Sequence, residues 1–121
     1  MTMRALIVDD DQTFCQFLAT VLTRKGIDVT WTTDGLASYN LARQFPYDLF
    51  ILDVRMPQVL GTDLAADLKK DHPSAQIILI SAFADAALQQ TASQLGVAIL
   101  SKPFPPNRLT DMIVQLLGQQ M

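Results

Sequence analysis

The sequence predicts an open α/β fold, in which a parallel five-stranded sheet carries helices on both faces. Two observations predict it. Five short apolar runs alternate with segments in which apolar residues recur at helical spacing, from one end of the chain to the other. Strands separated by helices run parallel and are covered on both sides. In addition, four of the five runs lead into a residue with evident chemistry, and the carboxyl ends of the strands are where open α/β sheets build their sites.

The first strand is "ALIV" at 5–8, and Phe14, Phe17, Leu18, Val21 and Leu22 then step at helical spacing. The second strand is "IDVTW" at 27–31, placed at the sheet edge with Trp31 partly buried; Leu36, Ala37 and Leu41 mark a less regular helix after it. The third strand, "DLFIL" at 48–52, leads through a loop to Gly61 and a helix carrying Leu64, Ala65 and Leu68. The fourth, "IILI" at 77–80, precedes an Ala- and Gln-rich helix from Asp85 to Leu95 that Gly96 closes. The fifth, "VAIL" at 97–100, precedes a helix opened by Pro105 and Pro106, with Leu109, Met112, Ile113 and Leu116 on one face. Val114 and Leu117 widen that face, either as further core or as a contact surface.

The chain has 121 residues, enough for one domain with its own core, and no linker or repeat divides it. Half of the residues are hydrophobic and 17% are charged, which excludes a disordered chain. The net charge of −3 and the lack of a basic stretch argue against direct nucleic-acid binding. No apolar run is long enough for a membrane span, and the N-terminal flanks are wrong for a signal peptide. The single cysteine, Cys15, rules out an intramolecular disulfide and fits a reducing cytoplasm; no base stands obviously beside it, so it reads as an inert thiol.

The chemistry lies at the strand ends. Asp9, Asp10 and Asp11 follow the first strand, Asp53 the third, Ser81 the fourth and Lys102 the fifth, while Thr32 and Thr33 follow the second. Carboxylates converging on one sheet edge repel, and a divalent cation removes that cost. Oxygen ligands with room for several waters suit Mg²⁺. Asp10 and Asp53 are the expected direct ligands and Asp9 the water-mediated one, with Asp11 left to cap the first helix. A cation, an ammonium and a hydroxyl around one carboxylate form a receptor for an oxyanion transferred onto that carboxylate. Asp53 is then a nucleophile for a phosphoryl group. Taken singly, Asp53, Ser81 and Lys102 would be ordinary strand-end residues; their company makes the site.

With those residues in place, the sequence resembles the receiver domain of response regulators, the phosphoacceptor module of two-component signalling. "VDDD", "LDVRMPQVLG", "ISAF" and "SKPF" carry the resemblance, in order and at five-strand spacing. It implies a flavodoxin-like three-layer α/β/α sandwich with strand order 2-1-3-4-5 and five helices, occupying residues 1–121. It implies that a histidine kinase or histidine phosphotransfer protein supplies the phosphoryl group to Asp53, and that a downstream effector protein reads the result. Asp10, Asp53 and the backbone carbonyl of Arg55 would hold Mg²⁺, and Ser81 and Lys102 the phosphoryl oxygens. Met56, Pro57 and Gly61 stand at the family's loop spacing, and the Lys102–Pro103 bond is cis in the family. The family's switch pairs the hydroxyl residue with an aromatic three residues before the lysine; here Ser81 is paired with Ile99, which departs from the pattern. Arg55 and Phe83 occupy the positions where family members tune dephosphorylation.

Two other classes share part of the pattern. A flavodoxin needs a phosphate-binding loop where Asp9, Asp10 and Asp11 stand. A phosphatase of the haloacid dehalogenase type wants an acid two residues after the nucleophile, where this chain has Arg55, and a cap for which 121 residues leave no room. His72 reads as a solvated residue favoured at the end of the third helix. From residue 84 onward the charged residues are Asp85, Lys102, Arg108 and Asp111, so the last two helices and last strand present few charges. Their exposed polar groups are expected to be Gln89, Gln90 and Gln94. That surface predicts a partner held by shape and hydrogen bonds, or a homodimer formed elsewhere through Val114 and Leu117.

Overall fold

The computed structural model describes residues 2–118 and shows five strands and five helices in strict alternation. They are β1 (Arg4–Val8), α1 (Gln12–Thr23), β2 (Asp28–Thr32), α2 (Ala37–Gln44), β3 (Leu49–Asp53), α3 (Gly61–Asp71), β4 (Gln76–Ser81), α4 (Ala86–Leu95), β5 (Ala98–Ser101) and α5 (Pro106–Leu117). The strands form one parallel sheet in the order β2-β1-β3-β4-β5, as expected.

Alternate residues of each strand feed opposite layers, because successive side chains point to opposite faces. Ala5, Ile7, Leu49, Ile51, Ile78 and Ile80 pack with α1 and α5 through Cys15, Leu18, Leu22, Leu109 and Ile113. Leu6, Val8, Phe50, Leu52, Ile77 and Leu79 pack with the other three helices through Ala42, Leu64, Leu68 and Ala92. Each such Leu or Ile contributes roughly 1.5–3 kcal/mol by leaving water. The three inner strands are therefore apolar on both faces, which is why they read as continuous runs.

The helix ends follow local chemistry. Asp11 caps α1, its Oδ1 accepting the Phe14 N–H at 3.1 Å, and Asp85 caps α4 through the Leu88 N–H at 2.9 Å. Pro106 occupies the first turn of α5, and Gly96 closes α4 in the left-handed conformation at φ 72°.

Two helical stripes differ from the expectation. Phe17 is 44% exposed, and Cys15 takes its place in the core of α1. Leu36 precedes α2 and lies exposed, while Ser38 and Ala42 face inward. Small residues there let α2 approach the sheet, and nothing in their hydropathy announces an inward face. His72 is half-buried instead of solvated, its ring 5.2 Å from that of Phe50 in an edge contact. Trp31 lies half-buried on the edge strand, as expected. On α5, Leu117 packs against core and Val114 is exposed.

Candidate functional site

Asp9 follows β1 directly, Asp53 and Ser81 are the last residues of β3 and β4, and Lys102 follows β5. Parallel strands bring all of these ends to one edge of the sheet. One carboxylate oxygen from each of Asp9, Asp10 and Asp53 lies within 4.8 Å of the others. Asp53, Arg55, Ser81, Ala82, Phe83 and Lys102 line an adjoining pocket of about 250 Å³.

The three aspartates sit in different surroundings. Asp9 is only 2% exposed; its Oδ1 accepts the Asp11 N–H at 2.9 Å and its Oδ2 meets Lys102 Nζ at 3.0 Å. Asp10 is exposed, and Asp53 is 8% exposed, with Oδ1 3.7 Å from Lys102 Nζ. Burial pushes the Asp53 carboxyl up to about 6; the Asp9 charge adds to the rise, Lys102 opposes it and Asp10 contributes further. Burial also raises Asp9, against the Asp11 N–H and Lys102. For Lys102, burial acts downward, but Asp9, with Asp53 and Asp11, outweighs it and holds the ammonium above the usual lysine range.

One ammonium thus faces two carboxylates that burial destabilises, with a third exposed to water beside them. The donor set is all oxygen, it carries an excess of negative charge, and its open side leaves room for water. These are the preferences of a hard divalent cation, and the cluster can bind one.

The loop after β3 is closed by backbone. The Val54 N–H donates to Ile80 O at 2.9 Å, the Gly61 N–H donates to Val54 O at 2.8 Å, and Arg55 bridges Leu60. A Cβ on Gly61 would collide with the Asp53 carbonyl oxygen and the Val54 backbone, so only glycine allows α3 to start there. Met56 is buried under the loop, while Pro57 and the Arg55 side chain are exposed.

Ser81 is turned toward its own loop. Its hydroxyl donates to Phe83 O and its Oγ accepts the Phe83 N–H, both at 3.0 Å. The Phe83 ring stands 70% exposed at the pocket's rim. The Lys102–Pro103 bond is cis. Ile99 is half-buried on β5 and lines a separate cleft of about 350 Å³ with Ala84, Gln89, Phe104 and Arg108.

Sequence reasoning missed the support of Lys102. Phe14, read as a helix-stripe residue, places its ring 4.3 Å from Lys102 Nζ and edge-on to Phe104 at 5.9 Å. Phe14 follows the acidic run closely, but nothing in the sequence signals its contact with Lys102, which lies far along the chain. Cys15, read as inert, is buried with Sγ 3.2 Å from Asp9 O, and burial raises its thiol to about 12.

A family model described as the response regulator receiver domain matches residues 5–114. A response regulator receiver protein of Anaeromyxobacter is 34% identical over 90% of this chain and 46% of its own length. The chemotaxis protein CheY of Thermotoga maritima is 30% identical over 93% of this chain and 96% of its own length. The chain spans about half the length of several curated relatives, among them transcriptional regulators. Among solved structures, a CheY-like receiver domain from Methanospirillum hungatei superposes with a TM-score of 0.93 at 24% identity, covering 99% of this chain and 97% of the other. Among the described residues, no helix is long and apolar enough to cross a membrane.

Proposed function

The chain belongs to the response regulator receiver domain family, and on that premise we propose that it is a phosphoacceptor switch loaded at Asp53. The observation that carries the reading is the convergence of three carboxylates and Lys102 on one edge of the sheet, beside a small pocket that Asp53, Ser81 and Lys102 line. Asp10, Asp53 and the Arg55 carbonyl would hold Mg²⁺, with Asp9 reaching it through water; when bound, the cation offsets the repulsion among the carboxylates and the incoming phosphoryl oxygens.

Asp53 supplies the nucleophile. One of its oxygens forms the new bond to phosphorus, the bond from phosphorus to the donor's imidazole nitrogen breaks, and the electron pair returns to that nitrogen. Lys102 lies 3.7 Å from Asp53 and 3.0 Å from Asp9; it swings from the second toward the phosphoryl group as charge builds there. Ser81 gives up its bonds to the Phe83 backbone and donates its hydroxyl to a phosphoryl oxygen. That exchange shifts the loop after β4. Ile99 responds by packing against the shifted loop without an aromatic swing, being short and stiff at its β-branch. The donor is a histidine kinase or phosphotransfer protein, and an effector protein reads the loaded form. The domain promotes its own loading and hydrolysis and does not turn over substrates.

The test is intact-mass measurement after treatment with acetyl phosphate and Mg²⁺. One phosphoryl group is expected on the wild-type protein and none on Asp53→Asn. Equal labelling of the variant refutes the assignment. Sustained hydrolysis of an aryl phosphate would instead favour a phosphatase.

A further inference from the structure

The loop that carries the Arg55 carbonyl rests on a turn that sequence reasoning gave no role. Between β2 and α2, the Thr32 Oγ1 accepts the Asp34 N–H at 3.1 Å, and Asp34 Oδ1 accepts the Leu36 N–H at 2.9 Å. The buried Ser38 hydroxyl donates to Gly35 O. The turn is thus tied to itself on both sides of Gly35. Across from it stands the loop after β3. The Gly35 N–H donates to Gln58 Oε1 at 3.4 Å, and a Cβ built on Gly35 would collide with Val59 Cγ1 and lie 3.6 Å from Met56 Cε. Gly35 is not in the left-handed region, so its backbone suits any residue. The space alone demands glycine here, and that space is filled by Val59, whose β-branch is stiff.

We infer that Gly35 is a positioning residue: the turn at 33–36 is a platform that sets the height of the loop at 54–60, and through it the placement of the Arg55 carbonyl at the metal. The inference rests on the proposed reading of the site. Met56 anchors the loop from beneath and the Arg55–Leu60 bridge closes it, so the loop moves as a unit. Pushing Val59 away from Gly35 therefore displaces the carbonyl four residues back. Asp10 sits on separate backbone after β1, and Asp53, although it leads into the loop, is held in β3 by its pairing with β4, so both ligands stay in place.

The experiment is a Mg²⁺ titration followed by amide NMR shifts, alongside urea unfolding of the metal-free protein. Gly35→Ala is expected to weaken Mg²⁺ binding by about tenfold, the lower end of what loss of outer support costs a metal site. Val59→Ala in the Gly35→Ala background removes the colliding methyl, and the double variant is expected to recover most of the affinity. Gln58→Ala, at an exposed position, is expected to weaken binding by a smaller factor. A Gly35→Ala protein that loses urea resistance but binds Mg²⁺ as the wild type does overturns the inference, as does a double variant no better than Gly35→Ala. If Gly35→Ala does not fold, undiminished affinity in Gln58→Ala overturns it. Asp10→Ala separates the two levels. Wild-type binding that Asp10→Ala leaves intact overturns the metal reading and the inference with it; binding lost in Asp10→Ala but unchanged in Gly35→Ala overturns the inference alone.

Discussion

Replacing Asp53 by Asn should stabilise the metal-free protein. The buried Asp53 carboxyl titrates at about 6, above its ordinary value of 3.8, because burial and the neighbouring Asp9 and Asp10 charges outweigh Lys102. The folded protein therefore holds the Asp53 proton more tightly than the unfolded chain does. Below about pH 4 both states are protonated and the carboxyl costs nothing. Between about pH 4 and 6 the unfolded chain loses its proton first, and wild-type stability falls as pH rises. Above about pH 6 the penalty is complete. A rise of about two units corresponds to about 3 kcal/mol as a ceiling, and water reaching the exposed Asp10 side lowers the realised gain to about 1–3 kcal/mol. For a domain of this size each kcal/mol raises Tm by about 4 °C. The assay is urea unfolding of wild type and Asp53→Asn in EDTA at several values between pH 4 and 8. The variant should gain most at pH 7.5 and lose its advantage toward pH 4. Mg²⁺ should narrow the gap, since it stabilises the protein that binds it better. A gain that does not change with pH, or an Asn variant less stable at pH 7.5, would refute the electrostatic argument.

Phe83 and Arg55 flank the pocket, so the phosphorylated form should be long-lived, with Phe83 obstructing the in-line water and the Arg55 guanidinium pairing with a phosphoryl oxygen. Phosphoprotein decay should quicken severalfold in Phe83→Glu and in Arg55→Asn; unchanged decay in both removes this account. The Cys15 thiol, buried and raised to about 12, should resist a thiol reagent in the folded protein and react only as urea unfolds it; prompt labelling at pH 8 would mean that the α1 core opens. Light scattering with and without beryllofluoride should show no salt-sensitive dimer through α4, β5 and α5, where Gln89, Gln90 and Gln94 are exposed and charges are few. A dimer that appears on activation, dissolves in salt and is lost in Arg108→Ala or Asp111→Ala would contradict that.

Much of this protein was legible in its sequence, because the relevant signals are local. Alternation of apolar runs with helical periodicity names a parallel sheet wherever the chain folds, and a residue after such a run lies at the carboxyl edge by construction. Asp9, Asp53, Ser81 and Lys102 could therefore be assigned to one edge without coordinates, and Asp11, Asp85, Gly96 and Pro106 to helix ends by their own capping chemistry. The tertiary structure decided what depends on distance between remote residues and on helix phase. Lys102 lies closer to Asp9, 93 positions away in the chain, than to Asp53. Cys15 and not Phe17 faces the core, Phe14 lies against Lys102, and Gly35 makes room for Val59. A one-residue rotation of a helix changes hydropathy along the sequence by nothing and changes every contact it makes, so composition and spacing cannot supply these partners; close packing around the sheet does.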